Sequence, residues 1–528
     1  MTTTLVAQAM AQIYAHIEAG DWVQAEAACQ QALLLDPLNA DAHHLAGHAA
    51  SQLGQPELAL SWWQHAVALD PVHAQYRYNL AVALFEAGRQ NEAALQYQAC
   101  LRQEPQHRDA LWNYGEMLRL AEHFTLAVDH LQRFAAAGGQ YAALHHRLAV
   151  SYGVLGRDAD AEACFKRELN AASGAPADAL THWEYALFLL SRGRFAEGFA
   201  QYRRRFEAGG RNSVFCHAFD IPAYQGQLSA GDTVLVHGEQ GLGDEMMFAS
   251  IVPALLADAQ RAGARVVLAV KPALVRLFAY SFPQAIVRSH RVGGPIAELS
   301  DLGPIQWQLP IGDLAFFYRR EQSDFDATPA GYLKADPLRS AWYAQHLAAL
   351  EPHAAVRTPR LRVGLMWGSN PAAVNDKFVR WTQQRSIPVE RFARLAHLLP
   401  DVRFISLQNV ERGAEAALAP ALDIFDLSSL QTDFYETAAL VANLDLVISV
   451  DTSVSHLAGA MDKDTWVPLM KHCDWRHGLT REQSLWYPKT RYFRQQVKSE
   501  WDAVLDAIEQ ALLERLADTP APAAGSNV

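Results

Sequence analysis

The sequence is short of positive charge, of cysteine and of long apolar runs. It has 45 lysines and arginines against 57 aspartates and glutamates, and its net charge at pH 7 is −12. We therefore expect no nucleic-acid partner, because binding to phosphate backbones requires a basic face. The five cysteines form no C-x-x-C pair, and we expect buried thiols in a reducing compartment.

The beginning of the chain and its hydropathy predict the location of the protein. The first residues, MTTTLVAQAMAQIYAHIEAGDW, contain no basic segment followed by a long apolar one, so no signal peptide is predicted. No window approaches the apolar length of a membrane-spanning helix. We therefore expect a cytoplasmic protein without membrane insertion.

Several common catalytic motifs are also missing. The chain has no G-x-x-x-x-G-K-[ST] phosphate loop, no H-E-x-x-H or cysteine–histidine zinc pattern, and no G-x-S-x-G nucleophile turn. These absences argue against phosphate-loop nucleotide hydrolases, zinc hydrolases and serine hydrolases of the nucleophile-elbow type. We expect no cofactor and no metal.

Residues 1–207 instead contain a repeat with a step of 34 residues. Alanine, glycine and proline each recur at this step: Ala25, Ala59, Ala93, Ala127 and Ala161; Gly20, Gly54, Gly88 and Gly156; Pro37, Pro71 and Pro105. Small residues let two antiparallel helices approach closely, glycine fits the turn between them, and proline ends the second helix. The pattern resembles the tetratricopeptide repeat, which implies an α-solenoid of about six repeats, the last of them looser.

The resemblance to this repeat implies a concave groove lined by one position of each first helix. These positions hold Met10, His44, Tyr78, Trp112 and His146. One interpretation is a ladder of aromatic and imidazole groups that binds an extended or helical segment of a protein acceptor. The alternative is that some of these side chains pack between neighbouring repeats, and the sequence does not decide between the two.

The pattern changes after a glycine-rich linker or docking segment at residues 208–230. Short apolar strands then alternate with helices in two sets, one over residues 231–355 and one over residues 356–516. Fully apolar strands of this kind are typical of parallel sheets, so we predict two Rossmann-like halves with a cleft between them. Residues 517–528 are rich in small residues and proline, and are predicted to form a disordered tail.

The stretch VLVHGEQGLGDEMMFAS is the first of two strand-to-helix junctions that indicate a site. Gly241 and Gly243 permit a tight turn, but Asp244 and Glu245 begin the helix with negative charge. The helix N-terminus stabilises these carboxylates, and they would repel a diphosphate. We therefore predict that this turn lies on the acceptor side and that Asp244 accepts the proton of an attacking hydroxyl. The alternative is that Asp244 only caps its helix.

The stretch LDLVISVDTSVSHLAGAM is the second junction. Its strand is predicted to end at Asp451, and Thr452 and Ser453 then begin a helix whose first turn has no acid. Free backbone amides and two hydroxyls at such an end form an anion site. Asp451 is expected to order the turn, while His456 is either a structural residue or a ligand contact.

Several segments together resemble the heptosyltransferases of glycosyltransferase family nine, in particular bacterial members fused to repeats. The segments are WGSNP, ND, RSIP, FISLQ, DFYETAALVANLDLVISVDTSVSHLAGAM and CDWRHGLTREQSLWYPKTRYFRQ. The resemblance covers the chain from Gly231 to Gln495 and implies a two-lobed GT-B fold, with the donor nucleotide-sugar in the second half. The O-linked N-acetylglucosamine transferases and the flagellin glycosyltransferases have a similar architecture.

The resemblance also implies roles for single residues. Asp244 matches the presumed base, on a turn with Gly241, Gly243 and Glu245. The residues expected to bind the donor diphosphate are Thr452, Ser453, Val454, Arg385 and Lys377. Those expected near its nucleotide or sugar are Ser369, Asn370, Gln408, Asp451 and His456. An insertion between Asn375 and Arg385 departs from the family pattern and leaves the phosphate-binding residues open.

These observations predict a metal-independent, inverting glycosyltransferase. The expected acceptor is a serine or threonine hydroxyl of a protein bound by the repeats, with flagellin as the first acceptor to consider. Two alternatives remain: a glycosyltransferase that acts on lipopolysaccharide or another glycan, and a non-catalytic repeat scaffold. The sequence does not give the sugar, the nucleotide or the oligomeric state.

Overall fold

A computed structural model describes residues 2–141, 143–171, 176–208, 219–291, 299–350, 359–369 and 382–519, and the single positions 214, 217 and 296. The chain forms two compact units, Met1–Ala172 and Ser173–Val528. The first unit is helical, and the second contains two parallel sheets. This composition agrees with the fold class that the sequence predicts.

The first unit consists of antiparallel helix pairs at the predicted period. Its helices are α1 Thr2–Glu18, α2 Trp22–Leu35, α3 Ala40–Gln52, α4 Pro56–Leu69, α5 Ala74–Glu86, α6 Gln90–Gln103, α7 Arg108–Leu120, α8 Phe124–Ala136, α9 Leu144–Val154 and α10 Asp158–Ala171. The recurring alanines are buried between helices. The glycine between the two helices of a pair has a left-handed conformation, with φ of 71° at Gly20 and 72° at Gly54, which explains the choice of glycine there.

A sixth helix pair begins the second unit. It consists of α11 Pro176–Ser191 and α12 Phe195–Tyr202, followed by a short 3₁₀ helix at Arg203–Ala208. The sequence assigns this pair to the solenoid, but its side chains belong to the same hydrophobic core as the first sheet of the second unit. Phe199 and Tyr202 are both fully buried in that core.

The first sheet has four strands in the order β3-β2-β1-β4. They are β1 Thr233–His237, β2 Arg265–Val270, β3 Ile286–Ser289 and β4 Trp307–Pro310. All pair in parallel, with Val234 opposite Val266 on one side and opposite Trp307 on the other. The helices of this half are α13 Leu242–Phe248, α14 Val252–Ala262, α15 Val275–Ser281, α16 Leu314–Tyr318 and α17 Pro337–Leu350.

The second sheet has six parallel strands in the order β10-β9-β8-β5-β6-β7. They are β5 Leu361–Met366, β6 Val402–Ser406, β7 Phe425–Asp426, β8 Leu446–Ser449, β9 Thr465–Leu469 and β10 Thr490–Arg494. The α-helices are α18 Val410–Gly413, α19 Phe434–Val441, α20 Ser453–Ala460 and α21 Asp502–Asp518. Strands β1, β5, β6 and β8 all end towards one cavity, as expected for the carboxyl edges of parallel sheets.

Candidate functional site

A cavity of about 660 Å³ lies between the two sheets of the second unit. The segments that follow β1, β5, β6 and β8 all contribute to its wall. Of the predicted site residues in the second unit, those that line it are Gly241, Gly243, Asp244, Ser369, Arg385, Gln408, Asp451, Thr452, Ser453, Val454 and His456. Asn370 and Lys377 lie outside the described residues. The fold thus brings both predicted junctions to one place.

Asp244 has two distinct contacts at the start of α13. Its Oδ2 accepts a hydrogen bond from the backbone amide of Gly241 at 2.9 Å. Its Oδ1 lies 2.7 Å from Nη2 of Arg476, which belongs to the other half of the second unit. One oxygen therefore caps the helix, and the other is held by a guanidinium at the cavity. Helix capping therefore accounts for the contact of Oδ2 but not for the contact of Oδ1 with Arg476.

The surroundings of Asp244 set its protonation. Burial alone raises the pKa of a carboxyl group, but here the positive charge of Arg476 opposes it, together with the hydrogen bond from Gly241. The net effect holds the pKa of Asp244 below its ordinary value. Asp244 is consequently a stable anion, and a weak base for as long as Arg476 stays paired with it.

Glu245 has a different environment from its neighbour. Its side chain is completely buried, and it does not line the cavity. Its Oε1 lies 3.1 Å from Nζ of Lys271 and 3.2 Å from Nε2 of His290, while its Oε2 accepts the Lys271 amide at 3.0 Å. Glu245 therefore ties α13 to the segment after β2, and of the four residues predicted on the acceptor-side turn it is the one that does not line the cavity.

Gly243 marks the place where the two junctions meet. A Cβ atom at this position would lie 2.6 Å from Cδ2 of His456 on α20. Contacts that short do not occur between real side chains, so any larger residue would displace the His456 ring or one of the two helices. The glycine is required by close approach, not by an unusual backbone angle.

Thr452 begins α20 with a cap made from its own neighbours. Its amide donates to Oγ of Ser455 at 3.4 Å, and its hydroxyl lies 3.1 Å from Oγ of Ser449. The first amides of a helix have no acceptor within the helix. Those of Ser453 and Val454 are therefore left for a ligand at the cavity wall, which both residues line.

Asp451 and His456 fix the second junction through contacts with His477 and Tyr487. Burial favours the neutral form of Asp451, but His477, with Nε2 3.2 Å from Oδ1, and the arginines nearby hold its pKa well below the ordinary value. Burial, reinforced by Arg476, lowers the pKa of His456 to about 3. The His456 ring is therefore neutral, with Nδ1 2.8 Å from the Tyr487 hydroxyl.

Arg385, Ser369 and Gln408 form the wall after β5 and β6. Nη2 of Arg385 donates to Oγ of Ser369 at 2.6 Å. Gln408 donates through Nε2 to the Gly368 carbonyl at 3.0 Å, while its buried Oε1 has no hydrogen-bond partner in the described part of the chain. This wall thus offers a cation, and an amide oxygen ready to accept a hydrogen bond.

Sequence reasoning missed Arg476, which lies in the quoted segment CDWRHG but received no role. It is held in a 3₁₀ turn, Trp475–His477, capped by Asp474. Nε of Arg476 lies 3.0 Å from Oδ1 of Asp474. A useful signal was available, because this segment follows the carboxyl end of β9, at the edge where the other strand ends meet.

The predicted groove positions of the first unit are engaged with the next repeat. Asn79 lies 2.7 Å from Nε2 of His44, Asn113 donates to the Tyr78 hydroxyl at 3.0 Å, and the guanidinium of Arg147 lies 5.2 Å from the Trp112 ring centre. Each contact joins one repeat to the next, and each of the three rings is half-buried.

The two remaining groove positions also have neighbours within the first unit. The ring of His146 lies 6.5 Å from that of Phe165. Met10 packs against a buried cluster that includes Ile13 and Cys29. Packing between and within repeats accounts for part of what these five positions do. Their contact with an acceptor stays a prediction.

Among the helices that the structure describes, none is both long enough and apolar enough to cross a membrane.

Comparison with known proteins finds a family match in each part of the chain. A model of the tetratricopeptide repeat matches residues 44–100 and 91–142. A model of glycosyltransferase family 9 (heptosyltransferase) matches residues 379–466, which include Arg385, Gln408 and the second junction.

One curated relative and several solved structures resemble the chain. Protein FlbA of Caulobacter vibrioides is 29% identical over 418 residues, which is 76% of this chain and 63% of FlbA. The chain therefore spans less than two thirds of the length of this relative. The match to a crystal structure of MamA has 20% sequence identity and a TM-score of 0.29, and it covers 31% of this chain and 90% of the MamA chain. PilF of Pseudomonas aeruginosa is 16% identical with a TM-score of 0.32, covering 40% and 89%. The chain thus resembles tetratricopeptide-repeat proteins in its first unit and, over residues 379–466 of its second unit, glycosyltransferase family 9.

Proposed function

We propose that this protein transfers a sugar from a nucleotide-sugar to a hydroxyl group of a protein. The observation that carries the proposal is the cavity of the second unit, where a carboxylate on one sheet faces a cationic and amide-rich wall on the other. A base and an anion site on opposite walls are the two parts that glycosyl transfer from a diphosphate donor requires.

The donor is proposed to lie against the second sheet. The guanidinium of Arg385 and the amides of Ser453 and Val454, which have no acceptor among the residues that the structure describes, suit the diphosphate. The neutral ring of His456 adds no charge there. Gln408, through its unpaired Oε1, suits a hydrogen-bond donor on the nucleotide or sugar.

The reaction is proposed to be a single displacement at the anomeric carbon. The acceptor oxygen attacks this carbon, Asp244 takes the hydroxyl proton, and the bond to the diphosphate breaks with its electron pair leaving on the diphosphate oxygen. Attack from the side opposite the leaving group inverts the anomeric configuration. Arg385, Arg476 and the amides of α20 offset the leaving charge, so we propose that the step needs no metal.

The acceptor is proposed to be a serine or threonine of a protein, and flagellin is the first one to test. The repeats support a protein acceptor, since arrays of this kind commonly bind protein segments. Among the residues that the structure describes, Cys29, Cys100, Cys164 and Cys473 form no disulfide.

The first test is intact-mass spectrometry of flagellin from cells that carry the wild-type protein, Asp244→Asn, or the control Asp326→Asn at an exposed acid. We expect a mass increment in wild type and control, and its loss in Asp244→Asn. No increment in any strain would favour a glycan acceptor, which the heptosyltransferase match makes the second choice, or a non-catalytic scaffold.

A second test concerns the repeats. The fragment 173–528 corresponds to one compact unit, and its folding can be checked by thermal unfolding. We expect it to bind the nucleotide-sugar like the full chain but not to modify the protein acceptor. Normal modification by a folded fragment would remove the repeats from acceptor recognition.

A further inference from the structure

The side chain of Arg476 joins the two walls of the cavity. It extends from the second half of the unit, where Asp474 holds it, to Asp244 at the start of α13 in the first half. Only 11% of the side chain is exposed, and that part lies at the cavity. Arg476 therefore contacts two carboxylates, those of Asp244 and Asp474, and also lines the cavity that holds the proposed diphosphate site.

The two carboxylate contacts of Arg476 are not equivalent. Asp474 is two residues away on the same turn, and it binds the guanidinium through Nε at 3.0 Å and Nη2 at 3.3 Å. Asp244 holds Nη2 alone, at 2.7 Å, and comes from the opposite wall. The first contact is a local anchor, and the second is the one that a competing anion can replace.

The remaining guanidinium nitrogen faces the second junction. Nη1 of Arg476 lies 3.4 Å from Nε2 of His456, a residue of α20. The proposed diphosphate site is the first turn of this same helix, so the guanidinium lies beside it and lines the same cavity. Guanidinium groups bind phosphate oxygens in pairs, with a geometry that a single carboxylate oxygen does not use.

We propose that Arg476 is a donor-binding residue that exchanges partners, leaving Asp244 for the diphosphate when the nucleotide-sugar binds. The inference rests on the proposed function and adds a step to it. In the empty cavity Arg476 keeps Asp244 a weak base, and with the donor in place it stabilises the diphosphate and leaves Asp244 free to accept a proton. The base then becomes active only beside a bound donor.

The exchange has a consequence for binding that a fixed ion pair lacks. Asp244 and the diphosphate compete for one guanidinium, so removing the Asp244 charge should tighten donor binding. Removing Arg476 should weaken donor binding and also abolish most of the effect of Asp244. A double-mutant cycle isolates this coupling, because the direct repulsion between Asp244 and the donor is present in both backgrounds.

The experiment is calorimetric titration of the full chain at pH 7 with UDP-glucose, GDP-mannose and ADP-glucose. For the probe that binds the wild type best, we expect Asp244→Asn to bind it severalfold more tightly and Arg476→Gln at least tenfold more weakly. Adding Asp244→Asn to Arg476→Gln should change the affinity much less than in the wild-type background. The control Asp326→Asn should match the wild type.

The outcomes separate this inference from the proposed function. Equal tightening by Asp244→Asn in both backgrounds, or normal affinity in Arg476→Gln, would leave a donor site intact and overturn the exchange. If none of the three probes binds the wild type, the proposed donor site fails, and the exchange fails with it. Weak binding by Arg476→Lys, beside Arg476→Gln, would show that the planar fork and not only the charge is used.

The pH dependence gives an independent readout. The charged or titratable groups that face Asp244 include Arg476, His456, Glu239 and Arg385. Because departure of Arg476 raises the pKa of Asp244, donor binding should take up a proton and tighten as the pH is lowered from 7. The same dependence in Asp244→Asn would assign the proton to another group and contradict the exchange.

Discussion

The two strand-to-helix junctions of the second unit have the same place in their sheets but differ in charge, one being acidic and the other neutral. Both follow a central strand of a parallel sheet, β1 in one half and β8 in the other, and both line one cavity. The junction after β1 places Asp244 in the first turn of its helix, whereas the junction after β8 has only hydroxyls there. A helix end occupied by its own carboxylate repels anions, while an unoccupied end attracts them.

The junctions also differ in how they are supported. The neutral one is self-contained, since Thr452 and Ser455 cap each other. The acidic one is held from outside its sheet by Tyr202, the last residue of the sixth helix pair, and by Arg205 in the 3₁₀ helix that follows. Arg205 binds Glu239 at 2.5 Å and Asp313 at 2.6 Å, and Tyr202 accepts a hydrogen bond from Gln240, directly before the glycine turn. A turn that must hold a charge in place is thus braced by a buried ionic network.

The largest effect is expected at the acid that distinguishes the two junctions. Asp244→Asn keeps the size of the side chain but removes the proposed base, so transfer to the acceptor should fall about 10²–10⁴-fold. Turnover in the presence of saturating donor measures this. An unchanged rate, with normal folding, would remove Asp244 as the base and with it the functional contrast between the junctions.

The brace of the acidic junction is expected to dominate its stability. Arg205→Met leaves Glu239 and Asp313 buried without their partner, and should lower the free energy of unfolding by about 3–5 kcal/mol. Denaturant unfolding of the full chain measures the change. The matched control is Arg261→Met, where the side chain is 78% exposed and the ion pair contributes at most about 1 kcal/mol. Equal effects of both variants would contradict the bracing role.

Making the neutral junction acidic should abolish the contrast. Ser453→Asp puts a carboxylate in the first turn of α20, where it suits the helix but opposes a diphosphate. Two unit charges about 4 Å apart interact by about 1–4 kcal/mol between water and a protein surface, so nucleotide-sugar affinity should fall about tenfold or more. Ser453→Asn is the uncharged control and should bind nearly as well as the wild type. Equal affinities would remove the α20 end from donor binding.

The smallest effect is expected where the junctions touch. Gly243→Ala introduces a Cβ atom that would lie 2.6 Å from the His456 ring, and should destabilise the unit by about 1–3 kcal/mol. Thermal unfolding measures this. In the His456→Ala background, where the ring is absent, Gly243→Ala should cost less stability than it does in the wild type. An additive loss would mean that the two residues are not in contact in solution.

The sequence predicted features whose cause is local. The period of 34 residues predicted the helix pairs because each pair repeats the same turn and the same small residues. The apolar strands predicted parallel sheets, and the absence of an acid after Asp451 predicted a neutral helix end. Each of these inferences uses residues within one turn or one repeat of each other, so a one-dimensional pattern was sufficient.

Contacts between residues that are far apart in the sequence could not be predicted from such patterns. The sequence could not show that Arg476 holds Asp244, or that Glu245 turns away from its neighbour to Lys271 and His290. It also left open whether His44, Tyr78 and Trp112 face a ligand or the next repeat, and the structure shows contacts with the next repeat.

The sequence by itself determined the kinds of element, the register of the repeats and the charge at each helix end, because these depend on neighbours along the chain. Only the tertiary structure decided which helix ends face each other, which helix pair braces the acidic turn and which cation Asp244 is bound to. Those choices depend on how separate segments pack, and packing joins side chains by distance in space, which the order of residues does not record.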